Sequence, residues 1–196
     1  VRLEDQQSRG EFGRLIKSHS SDLPVVLLAY DTRELSLLKA REDLSCVDRI
    51  FVWLGDARVF LAVIKWAEDR MNRAHDAAAA GVMSILLVED SVRFYSAYLP
   101  MLYGEIMEQT QALMSEGVNR MQQLMRMRAR PKILLATTFE EGRAIYEKAR
   151  GDMLGVIVDA RFPKDGELDD MAGVAFASMV KEHDPTTPVL IQSTTR

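Results

Sequence analysis

Three carboxylates are the residues best placed to do chemistry. Glu89 and Asp90 follow the aliphatic run Ile85-Leu86-Leu87-Val88, and Asp159 closes the run Val156-Ile157-Val158. Both runs have the length and composition of buried strands, and each ends abruptly in acid. In an open parallel α/β sheet, ligands bind beyond the carboxyl ends of the strands. If the two strands are neighbours, Glu89, Asp90 and Asp159 converge there. Three converging carboxylates repel one another unless a cation lies among them, and an all-oxygen set of this kind suits Mg2+. Asp159 would then stand ready to act on a phosphoryl group held by the metal.

Those strands must sit in a sheet, and the order of elements says which kind. Helices are expected over 11–19, 34–41, 57–72, 139–150 and 171–183, with a long helical region from 91 to about 128. Strands are expected over 25–29, 50–54, 84–89, 132–137, 154–158 and 188–192. The alternation predicts an α/β fold with a doubly wound parallel sheet. Residues 77–81 read as a small-residue linker between two halves, 1–78 and 79–196, and 160–170 as a loop.

An internal repeat supports two related halves. Residues 12–27 align without a gap on 176–191, matching Phe12 with Phe176, Lys17 with Lys181, His19 with His183, Pro24 with Pro188 and Val25 with Val189. Each copy reads as a helix, a polar turn closed by Pro, then a strand. Neither half holds a full set of five strands: the first offers α-β-α-β-α, the second β-α-β-α-β-α-β. The chain therefore reads as part of a longer tandem array.

Composition narrows the function classes. The chain has 196 residues, a net charge of −4, 47% hydrophobic and 28% charged residues, as expected of an ordinary globular chain. Mild acidity argues against nucleic acid or an anionic membrane as partner, and the basic run Arg126 to Arg130 reads as the cationic end of a helix. One cysteine, Cys46, excludes an internal disulfide and fits a reducing cytoplasm. The longest apolar run, 77–88, is interrupted by Gly81 and Ser84 and is too short to span a bilayer. No Gly-x-x-x-x-Gly-Lys-Ser/Thr or Gly-x-Gly-x-x-Gly is present, which removes a P-loop NTPase and a dinucleotide site. His19, His75 and His183 lack ligand spacing and read as surface or turn residues.

With these residues in hand, the second half resembles the receiver domain of bacterial two-component response regulators, over residues 84–196. The family's acid pair after strand one matches Glu89-Asp90, its phosphoacceptor at the end of strand three matches Asp159, and its switch hydroxyl after strand four matches Ser193. Its Pro-x-x-Gly loop matches Pro163-Lys164-Asp165-Gly166, slightly displaced. The resemblance implies a flavodoxin-like receiver fold binding Mg2+ through Glu89, Asp90, Asp159 and the backbone carbonyl of Arg161. It also implies phosphorylation of Asp159 by a sensor histidine kinase or small phosphodonor, with Ser193 drawn inward to bias a two-state surface.

The resemblance has gaps. The family's Lys at the end of strand five has no counterpart, and the interval 91–130 is about twice what one helix and a short connection need. The first half resembles the back end of a degenerate receiver, with Ala29 where the switch hydroxyl would stand and no Lys after Ile50 to Leu54. The pair is similar to the tandem receivers fused to phosphoenolpyruvate-synthase-like proteins. One way to complete the second sheet is for residues 50–54 to lie beside 188–192, putting Leu54 where the family has Lys.

Two functions are thus open: a phosphoacceptor signalling module, or a receiver-like module that only dimerises or docks. A hydrolase is disfavoured because no general base accompanies the acids. Leu99, Leu102, Ile106, Leu113, Met121 and Leu124 recur at helical spacing. They form either core or the seam of a homo-oligomer through residues 91–128, with Pro100 and Gly117 expected to kink or break the helix into two or three pieces.

Overall fold

The computed structural model describes residues 9–41, 43–115 and 130–193. Its central sheet has four parallel strands: β3 (Ser84–Val88), β4 (Lys132–Ala136), β5 (Met153–Asp159) and β8 (Val189–Gln192), in the order β4-β3-β5-β8. The register Val88 opposite Val158 on β3 and β5, and Asp159 opposite Gln192 on β5 and β8, brings the carboxyl ends of the three strands level. The protein is α/β with a mainly parallel sheet, as the alternation of elements predicts.

Period-two alternation divides the strand residues between two cores. Leu86, Val88, Val156 and Val158 face α5 (Phe139–Ala149) and α6 (Ala172–His183), where Tyr146 and Phe176 complete one cluster. Leu87, Ile133 and Leu135 face α3 (Arg58–Ala80) and α4 (Val92–Ser115), where Trp66, Tyr95, Leu99 and Tyr103 complete the other. Helix α5 starts at Thr138, whose side chain accepts from the Glu141 N–H, a standard N-cap.

The first half contributes α1 (Arg9–His19), β1 (Val26–Ala29), α2 (Thr32–Arg41) and β2 (Arg49–Val52), with β1 and β2 forming a parallel pair. The repeat survives in atomic detail. Lys17 Nζ donates to the carbonyls of Ser21 and Leu23, and Lys181 Nζ to those of Pro185 and Thr187. His19 Nδ1 bonds the Leu15 carbonyl, as His183 Nδ1 bonds that of Met179. Each lysine thus ties the helix end to the turn that feeds the next strand, which is why both types recur in register.

Four expectations need correction. Residues 77–80 of the expected linker are helical, because the alanines that looked like a spacer favour helix, and Gly81 caps the end of α3 at φ 61°. The helix from Val92 runs unbroken through Pro100 to Ser115, while Gly117 lies outside the described residues. The 160–170 loop contains a hairpin, β6 (Phe162–Lys164) with β7 (Glu167–Asp169). Its turn is Asp165-Gly166, both at positive φ (52° and 83°), as a type I′ turn requires. Finally, β2 does not lie beside β8. Among the described residues β2 pairs with β1, and the first turns of α4 satisfy its other groups: Ser96 Oγ accepts from Val52 N–H and Tyr95 Oη donates to Ile50 O. Phe51 is wedged edge-on between Trp66 and Tyr95, an aromatic packing that β8, with Leu190 and Ile191 exposed, does not offer. Leu54 therefore does not take the place of a strand-five Lys.

Among the described residues, no helix is long and apolar enough to cross a membrane.

Candidate metal centre

Backbone hydrogen bonds set the stage for the acids. Glu89 N–H donates to Ala136 O at 2.9 Å, anchoring the end of β3 to β4. Ala160 N–H donates to Gln192 O at 2.8 Å, anchoring the end of β5 to β8. Successive strands are added on opposite sides of β3, β4 on one and β5 on the other, so the gap between β3 and β5 is the topological switch point at which open α/β sheets place their ligands. There Glu89, Asp90 and Asp159 each offer a carboxylate oxygen, all within 4.8 Å of one another.

Glu89 is 1% exposed, and the two aspartates are half-buried. Its oxygens are both engaged: Oε1 accepts from Ser91 N–H at 3.1 Å and Oε2 from Gln192 Nε2 at 2.9 Å. Burial nevertheless pushes its carboxyl up to about 7, and the charges of Asp159 and Asp90 add to the rise. Asp90 is raised by burial and by Asp159, and Asp159 by burial. Working the other way, the N–H groups of Ala160 and Arg161 hold Asp159 down. Three carboxyls all raised together form a site that could hold a metal ion, and the donor set, oxygens only, suits a hard cation.

Of the residues singled out in the sequence, Glu89, Asp90 and Asp159 come together. Arg161 adjoins them: its backbone N–H serves Asp159, and its guanidinium, exposed and paired with Asp170 at 2.9 Å, lowers Asp90 through its charge. Ser193 is exposed, one residue beyond Gln192, which is the residue in register with Asp159. His19, His75 and His183 are exposed. The stripe on α4 is mainly core: Leu99 is buried and Leu102 and Ile106 pack against it. Met121 and Leu124 lie outside the described residues.

Three neighbours were not legible as site residues. Gln192 holds Glu89 across 103 positions of sequence. Tyr98 on α4 lies close enough that the charges of Glu89 and Asp159 add to burial in raising its phenol. Gly173, at the start of α6, donates its N–H to Ala160 O at 3.0 Å, and a Cβ there would stand 2.3 Å from the carbonyl oxygen of Asp159. A strand-end glutamine and a helical glycine carry no local pattern. Only the expected β5–β8 pairing could have pointed to Gln192.

Comparison with protein-family models, curated proteins and solved structures gave no match to this chain.

Proposed function

We propose that this chain is a phosphoacceptor receiver module of a bacterial two-component phosphorelay, acting in the cytoplasm on Asp159. The observation that carries the reading is the set of three buried or half-buried carboxylates within 4.8 Å at the β3/β5 switch point. Further support comes from the strand order β4-β3-β5-β8, which is compatible with the flavodoxin-like sheet of receivers.

In this reading Glu89, Asp90, Asp159 and the Arg161 carbonyl would hold Mg2+. The ion would offset their repulsion and draw electron density from a phosphoryl group. An Asp159 oxygen attacks phosphorus in a histidine kinase or small phosphodonor, the donor's bond to phosphorus breaks, and the donor leaves with the electron pair. The product is an aspartyl phosphate. Ser193, exposed one residue beyond Gln192, would turn toward the new charge and change the surface at the end of β8. Self-association through residues 91–128 completes the proposal, supported by the 60% exposure of Met101 on α4.

Metal binding is the first test. Mg2+ should shift the amide resonances of Ala160 and Arg161, and Asp90→Ala should abolish the shift. Unchanged Mg2+ binding in that variant would remove the assignment.

A second reading, a docking module without phosphotransfer, is favoured by one feature. The cation whose charge reaches Asp90 is Arg161, and Asp170 already holds it.

A further inference from the structure

We propose that the Tyr98 hydroxyl is a hydrogen-bond donor to the phosphoryl group at Asp159, which makes Tyr98 a further binding residue of the site. This rests on the phosphoacceptor reading above. Leu87 on β3 and Ile157 on β5 pack into the core beneath α3 and α4. Two residues further on, Glu89 and Asp159 fall on that same face by the period of a strand. Gln192, opposite Asp159 in register, reaches Glu89 there. The acids at the ends of β3 and β5 therefore lie on the α4 side of the sheet.

Helix α4 starts at these acids. The Ser91 N–H donates to Glu89 Oε1 at 3.1 Å, and the Ser91 carbonyl accepts from the N–H groups of Phe94 and Tyr95 at 3.0 Å. Ser91, Phe94 and Tyr98 recur at i, i+3 and i+7, so they share one helical face. Helical side chains lean toward the N-terminus, which carries the Tyr98 ring back toward Ser91 and the carboxylates. The ring packs against the α3/α4 core and stacks on Phe94, with centroids 6.1 Å apart and planes 11° from parallel, so its direction is set. Its hydroxyl is unspent. The buried Tyr95, Tyr103 and Tyr146 each donate theirs, whereas Tyr98 makes no hydrogen bond among the described residues. Burial and the charges of Glu89 and Asp159 raise its phenol, which keeps it protonated and a donor at neutral pH. The hydroxyl thus lies close enough to feel two carboxylates yet bonds neither, leaving a gap for a further group. A phosphoryl group there sets anionic oxygens against three acids and needs donors, while Arg161 is already paired with Asp170. The phenol keeps its proton throughout.

Beryllium trifluoride, a stand-in for a phosphoryl group on a carboxylate, is the probe. It is added to the full chain in saturating Mg2+ and followed by fluorine NMR. Tyr98→Phe keeps the ring and its stack on Phe94 and removes only the hydroxyl. The variant should bind beryllium trifluoride about tenfold more weakly, as loss of a hydrogen bond to a charged group does, with Mg2+ affinity within about twofold of wild type. Equal beryllium trifluoride affinity in the two proteins would overturn this proposal alone. A parallel loss of Mg2+ affinity would do the same, by making Tyr98 a support of the metal centre instead. A wild-type chain that binds no beryllium trifluoride would overturn this proposal and the phosphoacceptor reading together.

Discussion

Gln192 Nε2 donates to Glu89 Oε2 at 2.9 Å, joining the end of the edge strand β8 to the most deeply buried acid of the cluster. Even with that bond, the Glu89 carboxyl is raised from 4.5 to about 7. Between those values the folded state holds a proton that the unfolded state has released. Stability from this group is therefore fully present below about pH 4.5 and is lost as pH rises through about 7. The metal-free protein should lose stability on the order of 3 kcal/mol over that window. Glu89→Gln should flatten the curve, and saturating Mg2+ should restore stability at pH 8. Urea unfolding at a series of pH values checks this; a wild-type curve that rises from pH 5 to 7 would contradict the burial of a raised carboxyl.

Gly173 sits against the backbone of Asp159, and the contact leaves no room for a methyl group. Gly173→Ala should cost about 1–3 kcal/mol by overpacking. It should also weaken Mg2+ binding more than its loss of stability explains, because the backbone that must move carries Asp159. Thermal melts and Mg2+ titration of one variant separate the two effects. Full Mg2+ affinity with normal stability would show that the helix start does not position the acid.

Asp69 is 0% exposed and gathers α3, α4 and β4 into one network. It accepts from Tyr103 Oη at 3.0 Å, Arg130 Nη2 at 2.6 Å and Ile133 N–H at 2.9 Å. Removing it strands a buried guanidinium and a phenol, so Asp69→Ala should destabilise by about 3–5 kcal/mol. The midpoint of urea unfolding reads this directly, and a loss below about 1 kcal/mol would mean the network relaxes onto Glu68 and Asp76.

Self-association, if carried by α4, must use what the core leaves exposed. Met101→Glu should shift the mass in light scattering toward monomer while leaving circular dichroism unchanged. Leu102→Glu should instead unfold the chain, since that side chain packs against the buried cluster. An unchanged mass for Met101→Glu would take this surface out of the proposal.

The parts legible in the sequence were those with a local signature. Apolar runs ending in acid marked β3 and β5, and the lysine and histidine at fixed offsets marked both copies of the repeat. Asp165-Gly166 between short apolar runs was also a local signal, a hairpin turn that reads as a loop when the flanking strands are only three residues long. What could not be read was tertiary. The Asp69–Arg130 pair spans 61 positions and Tyr103–Asp69 spans 34, so no window of sequence contains them. The placement of β2 turned on aromatic packing around Phe51 and on two side chains of α4, neither of which periodicity reveals.

The claim that matters most is that Asp159 accepts a phosphoryl group with Mg2+ present. Incubation with acetyl phosphate and Mg2+, followed by intact-mass measurement, tests it most directly. One added phosphoryl group per chain is expected, released by hydroxylamine, dependent on Mg2+ and absent from Asp159→Asn. No added mass in a chain that demonstrably binds Mg2+ would contradict it and leave the docking role in its place.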